Sequence, residues 1–372
     1  MQIRNGYVYQ AGRGFDKEHI VIEDGVIRML AEQIETKDEE EVIDASDCYV
    51  IPGLVDVHFH GCAGHDFCEG TKEAVEAIER YECSHGITTI CPATMTLPEE
   101  RLLTICEAAA TYGGECLKGI NLEGPFLSEA KKGAQNGAYL HAPDSGMIRR
   151  LKEASGGIVK LVSIAPELAG AMECIRECAG EVQFSVAHTE ADYETALQAM
   201  KLGATHVTHL YNAMPPFTHR APGVIGAAFD ARADVELICD GIHINPSVVR
   251  ATFQLFSEEQ VVLISDSMMA TGMPDGDYEL GGQPVKVTGN LATLADGTLA
   301  GSATNLYDCM VTAIRMGIKP EAAVRAASYN PAKSVGLQDV CGDIREGMAA
   351  DMLVVDKDWK LLKVIKGGKL YR

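Results

Sequence analysis

The stretch Gly53–Gly61, GLVDVHFHG, decides how the rest of the chain is read. A mostly apolar run ends in two histidines, His58 and His60, one residue apart. In an extended segment alternate side chains share a face, so both imidazoles are expected to project the same way. A buried strand gains nothing in packing from two nitrogen bases at its end. A metal site does use them, and its other ligands must then come from elsewhere in the chain.

Outward from this stretch, apolar β-branched runs recur at 86–94 (GITTICPAT), 117–124 (LKGINLEG), 157–166, 181–189, 203–210, 234–243 and 260–267. Helical patterns lie between most of them, at 71–86, 98–114, 168–180 and 190–203. The last of these is expected to be capped by Thr189 and stopped by Gly203. Eight strands with helical crossovers predict an α/β chain built on a (β/α)8 TIM barrel. A doubly wound open sheet is the alternative, but it gives no reason for the placement of the polar residues. His58 and His60 end the first strand, Glu123 the third, His188 the fifth and His209 the sixth. His243 follows the seventh and Asp266 ends the eighth. Barrel active sites form at that C-terminal rim, from the ends of several strands.

The two ends of the chain read differently from its middle. YVYQ, HIVIEDGVIRML and EVIDASDCYV near the start, and DMLVVDKDWKLLKVIKGGKLYR at the finish, are short strands with turn signals. Residues 1–50 and 340–372 are therefore expected to form one composite small β-sandwich domain. Residues 51–339 form the barrel, interrupted by a β insertion near 274–300 whose tail, TLAGS, returns to the barrel mouth.

Composition narrows the function. With a formal net charge of −21 over 372 residues, the chain lacks the basic face that nucleic acid or an anionic membrane requires. MQIRNGYVYQ carries no secretion or transit pattern, and no apolar run is long enough to span a bilayer. Twelve scattered cysteines without framework spacing are read as free thiols in a cytoplasmic protein. Cys62 and Cys68, close to the histidine pair, are read as buried or loop thiols because no CxxC accompanies them.

Histidine and carboxylate donors suit Zn2+, Fe2+ or Mn2+. Glu123, His188 and His209 make one three-ligand set, and His58 and His60 another that shares Glu123. A divalent ion at such a rim lowers the pKa of its water to about 7 and favours hydrolysis. Asp266 is then the candidate proton carrier. Arg220, in the loop FTHRAPG, offers a guanidinium fork matched to phosphate oxygens.

PGLVDVHFHG resembles the first-strand signature of the amidohydrolase superfamily, and SYNPAKSVGL with GDIREGMAADMLVVD resembles its C-terminal passage. NLEGPFL, KKGAQ, AHTEA, THLYNAMPP, DGIHINP, SDSM and TLAGS together are similar to its N-acetylglucosamine-6-phosphate deacetylase branch. The similarity covers nearly the whole chain. It implies metal-dependent hydrolysis of the acetamido group of N-acetyl-D-glucosamine 6-phosphate to D-glucosamine 6-phosphate and acetate. The ligands would be Glu123, His188 and His209, with His58 and His60 adding a second ion, so one or two divalent metals, Zn2+ or Fe2+, per subunit. Asp266 would be the general base and acid. Ala134, Gln135, Asn212, Ala213, Asp240, His243 and Leu299, Ala300 and Gly301 would contact substrate, with Gln135 where other members carry His. Arg220 and His243 would bind phosphate in a neighbouring subunit, which implies a homodimer. N-acetylgalactosamine 6-phosphate is the alternative substrate, and a cyclic amidase or deaminase the alternative chemistry. A barrel that had lost its chemistry would lack some of these ligands, and none is missing.

Overall fold

A computed structural model describes residues 1–32 and 41–371. The part of the predicted 1–50 segment at 33–40 lies outside the described residues. Each of the eight expected barrel strands is present: Leu54–Asp56, Ile87–Ile90, Ile120–Phe126, Val159–Ile164, Gln183–Val186, Ala204–Val207, Asp234–Ile238 and Val261–Ile264. A short continuation of the second, Ala93–Thr94, pairs with the third, and from there to the eighth the strands pair in parallel in sequence order. The first strand pairs in parallel with the second. The circle closes between the eighth and the first, where Asp266 N–H donates to His58 O at 3.0 Å and His60 N–H to Ser267 O at 2.7 Å.

Strand side chains alternate between two environments, as a period of two requires. Phe184, Val186, Val207, Val235, Leu237, Val261 and Leu263 join the large core that includes the helices, and each is buried. Burying such a side chain contributes about 1.5–3 kcal/mol. The alternate positions face the barrel interior, where apolar residues such as Leu161, Val262 and Ile264 are joined by polar ones. Ser185 bonds Thr208 at 2.6 Å, Ser163 bonds Thr208 at 3.3 Å, and His206 bonds Glu236 at 3.1 Å.

The helices follow the expected pattern, with one shift. Thr71 caps Lys72–Ser84 by accepting from Ala74 N–H. Tyr193–Leu202 is capped by Asp192, which accepts from Thr195 N–H, and not by Thr189. The Thr189 hydroxyl is already engaged, donating to Glu167 and accepting from Ala191 N–H. Gly203 ends that helix at φ 130°.

Strands from both ends of the chain form one eight-stranded sheet. Its main path runs Lys369–Leu370, Leu361–Lys366, Met352–Val355, Tyr49–Pro52, Gln2–Gln10, Gly14–Glu23, Val26–Ala31, with Val42–Asp44 also on Gln2–Gln10. It encloses a core of its own, including Ile3, Val8, Ile20, Ile27, Val50, Ile344 and Val354. The β insertion is a three-stranded meander of Gly276–Leu280, Gln283–Thr288 and Leu291–Thr293. It packs through Leu280, Val285 and Val287 on Met95 and Met268 beside the barrel mouth.

Candidate metal centre

The rim residues reach one place because several strands end alike. His58, His188, His209, Asp240 and Asp266 each stand two residues beyond the last residue of their strand. His58 and His60 thus sit just past the first strand, not inside it, with ring centroids 5.6 Å apart. His188, His209 and Asp266 have φ of 42°, 26° and 49°, a left-handed turn that L-residues adopt at a cost. Glu123 lies within its strand, and the next residue, Gly124, has φ 96°. A Cβ at Gly124 would fall 2.2 Å from Thr96 Oγ1, so only glycine lets the chain turn there.

Six side chains form two groups with metal-ligand spacing: His58, His60 and Asp266, and Glu123, His188 and His209. All six are buried. Glu123 joins the groups. Its Oε1 lies 3.1 Å from His188 Nε2, 3.2 Å from His209 Nε2 and 3.3 Å from His58 Nε2. Its Oε2 lies 3.4 Å from His60 Nε2, and His60 Nε2 is 3.3 Å from Asp266 Oδ1. Cys62 and Cys68 belong to neither group.

The donor set fits a cation. His188 donates Nδ1–H to Lys131 O at 2.8 Å, and His58 donates Nδ1–H to Glu236 Oε2 at 2.8 Å. In the neutral rings Nε2 is then a lone pair aimed at a carboxylate oxygen, an arrangement that repels unless a positive charge lies between. His58 Nε2 is buried and, among the described residues, without a hydrogen-bond partner. Burial pushes the Glu123 carboxyl up, but the imidazoles packed around it outweigh burial and pull it well below the ordinary range. Burial likewise raises Asp266, and His60 and His58 bring it below its usual value. Two ionised carboxylates among four imidazoles make a donor set able to exchange protons for metal.

A cavity of about 400 Å3 opens onto these groups. Glu123, His188, His209, His60 and Asp266 form part of its wall, with Ala134, Gln135, Asn212, Ala213, His243, Leu299 and Gly301 of the expected substrate set. His58 stands behind them, fully buried. Ala300 is also fully buried and off the wall, its N–H bonded to Ala292 O. Gly301, at φ 65°, passes so close to Asp266 that a Cβ would lie 2.9 Å from its carbonyl oxygen.

Gln135 is less free than the sequence implies. Its Oε1 accepts from Thr96 N–H at 2.7 Å and its Nε2 donates to Glu123 Oε2 at 2.5 Å, so its amide steadies a ligand carboxylate. Asp240 holds His243, accepting from its backbone N–H at 2.9 Å and from Nδ1–H at 2.7 Å. Burial lowers the His243 pKa and Asp240 more than restores it. His243 lines the cavity of its own chain, in keeping with its place in the expected substrate set. Arg220 is exposed and outside that cavity.

Sequence reasoning missed Glu236, His206 and the Lys131 carbonyl. Glu236, fully buried, accepts from His58, from His206 Nε2–H and, at 3.0 Å, from the backbone N–H of His209. Its signal was a carboxylate flanked by Val235 and Leu237 within the run DVELI, since buried charge is rarely left unpaired.

The description of the amidohydrolase family matches residues 49–371. The chain is 34% identical to N-acetylglucosamine-6-phosphate deacetylase of Bacillus subtilis, over 99% of this chain and 93% of that protein. It is 30% identical to N-acetylgalactosamine-6-phosphate deacetylase of Escherichia coli O157:H7, over 95% of each. Among solved structures it resembles a mutant N-acetyl-D-glucosamine-6-phosphate deacetylase from Mycobacterium smegmatis in complex with N-acetyl-D-glucosamine-6-phosphate. The TM-score is 0.94 and the identity 31%, covering 100% of this chain and 98% of that one.

Proposed function

The chain belongs to the amidohydrolase family, and on that premise we propose that it deacetylates N-acetyl-D-glucosamine 6-phosphate, giving D-glucosamine 6-phosphate and acetate. The observation that carries this reading is the meeting of the His58, His188 and His209 Nε2 atoms on one oxygen of Glu123, beside a cavity of about 400 Å3. Pockets of that order hold small ligands.

Glu123, His188 and His209 would hold a divalent metal, Zn2+ or Fe2+, and His58 and His60 would hold a second with Glu123 and Asp266 at hand. When bound, the metal polarises the acetyl oxygen and makes water acidic. Asp266, kept ionised by His60, accepts the water's proton as the oxygen adds to the acetyl carbon. It then returns that proton to the nitrogen as the C–N bond breaks, and the amine and acetate part. The Asn212–Ala213 turn and Leu299–Gly301 bound the sugar, and Gln135 keeps Glu123 in place.

His243 meets the phosphate from the chain's own wall. Arg220, exposed and outside its own cavity, meets it from the second copy of a homodimer. Twelve unpaired thiols support a reducing, cytoplasmic setting, and among the described residues no helix is long and apolar enough to cross a membrane. The galacto epimer is the second candidate substrate, on the strength of the Escherichia coli relative.

The test is acetate release from both 6-phosphates and from unphosphorylated N-acetylglucosamine, with metal counted on the same sample. Fast release from the gluco 6-phosphate alone supports the proposal. No release from any of the three by metal-loaded protein overturns it.

A further inference from the structure

Glu236 has no place in the chemistry above, yet it touches a member of each ligand group. Its Oε2 accepts from His58 Nδ1–H at 2.8 Å and from His209 N–H at 3.0 Å, and its Oε1 accepts from His206 Nε2–H at 3.1 Å. Its ion-pair partners among the described residues are the imidazoles of His58 and His206. We propose that Glu236 is a positioning residue that fixes His58 as a ligand and ties the two groups together through one oxygen. This rests on the metal-centre reading above.

The argument is one of tautomers. If His58 carried its proton on Nε2, the Nδ1 lone pair would face a carboxylate at 2.8 Å in a site closed to water, where like polarity is most costly. The proton therefore stays on Nδ1, and Nε2 is left as a lone pair 3.3 Å from Glu123 Oε1 and 3.8 Å from Asp266 Oδ1. The same Glu236 oxygen holds the amide of His209, whose left-handed backbone at φ 26° turns its ring towards Glu123. A partner that orients a metal-ligating histidine in this way typically changes metal affinity by about 10–100-fold.

His206 makes the proposal specific. Its Nδ1 is buried without a hydrogen-bond partner among the described residues. In Glu236→Gln the amide oxygen can stay on His58 and His209, with the amide nitrogen facing His206, which then moves its proton from Nε2 to Nδ1. Glu236→Leu offers no acceptor at all.

Zinc-loaded protein labelled with 15N in histidine, with the His58 signal assigned through His58→Asn, reports each ring's tautomer by NMR. Zinc titration reports affinity. Wild type is expected to show His58 as Nδ1–H. Glu236→Gln should keep that state, switch His206 to Nδ1–H and bind zinc nearly as wild type. Glu236→Leu should lose about 10–100-fold in zinc affinity. An Nε2–H His58 in wild type, or a folded Glu236→Leu with unchanged zinc affinity, overturns the proposal. If Glu236→Leu does not fold, the tautomers of wild type and Glu236→Gln decide. Wild type that binds zinc with His58 as Nδ1–H yet releases no acetate removes the proposed function and leaves this assignment standing.

Discussion

His188 Nε2 and His209 Nε2 face each other at 3.0 Å, and both rings lean on the same oxygen of Glu123. Two neutral imidazoles cannot satisfy one another nitrogen to nitrogen unless one donates. His188 already spends its Nδ1–H on Lys131 O. A cation held among the three side chains would relieve the contact, and their donor atoms have the spacing to hold one.

Replacing His188 with Ala should therefore remove the metal of this group, not merely weaken turnover. Activity should fall by about three orders of magnitude, the size of several kcal/mol of transition-state stabilisation. Elemental analysis alongside acetate release checks it. Chelation of wild type should mimic the variant and be reversed by Zn2+ or Fe2+, whereas the variant should not be rescued. Full activity in a metal-free sample would contradict the centre.

Asp266→Asn separates proton carriage from metal retention. Asn can neither take a proton from water nor return one, so kcat should drop by roughly 10^2–10^4. Metal held by Glu123, His188 and His209 should remain, because Asp266 belongs to the other group. Steady-state kinetics with metal counts on the same protein provide the check. Substantial residual turnover would assign the proton to another group.

Arg220→Ala addresses the phosphate and the assembly at once. Loss of a charge-assisted contact costs about 1.5–3 kcal/mol, so KM for the 6-phosphate should rise on the order of 10–100-fold. Hydrolysis of the unphosphorylated sugar should not change. Because Arg220 lies outside its own chain's cavity, wild type diluted until sedimentation shows monomers should acquire the variant's KM. A monomer with undiminished affinity for the phosphorylated substrate would place the phosphate contact within one chain.

How much of this could be read in advance follows from where each residue sits. His58, His188, His209 and Asp266 stood out because polar residues ended apolar strands, and the structure shows the common offset of two residues that gathers them. Glu236 and His206 belong to the barrel interior, where each satisfies the other across strands 30 positions apart. In one strand alone such a residue looks like any outward-facing polar position. Lys131 acts through its carbonyl, which has no sequence signature at all. Gln135 was legible as a cavity residue, but its bond to Glu123 depends on the Thr96 amide that fixes the other end of the side chain. Thr189 failed as a cap because Glu167, 22 positions away, claims its hydroxyl.

A last prediction concerns stability. Glu82 lies in the helix Lys72–Ser84 with no exposed surface and, among the described residues, no N–H or O–H partner for either oxygen. Burial pushes its carboxyl up from 4.5 to about 8, with the charge on Asp56 adding and the Cys62 thiol offsetting a little. The folded chain therefore holds this proton more tightly than the unfolded one. Its contribution is fully present below the unfolded value near 4.5 and is lost as pH rises through about 8. The total loss is on the order of a few kcal/mol. Glu82→Gln keeps the shape and removes the titration. Its melting temperature should be close to that of wild type near pH 5 and exceed it by several degrees near pH 8.5. Parallel melting curves for the two proteins across that range, measured with metal content matched, would show that Glu82 is ionised throughout in the folded state.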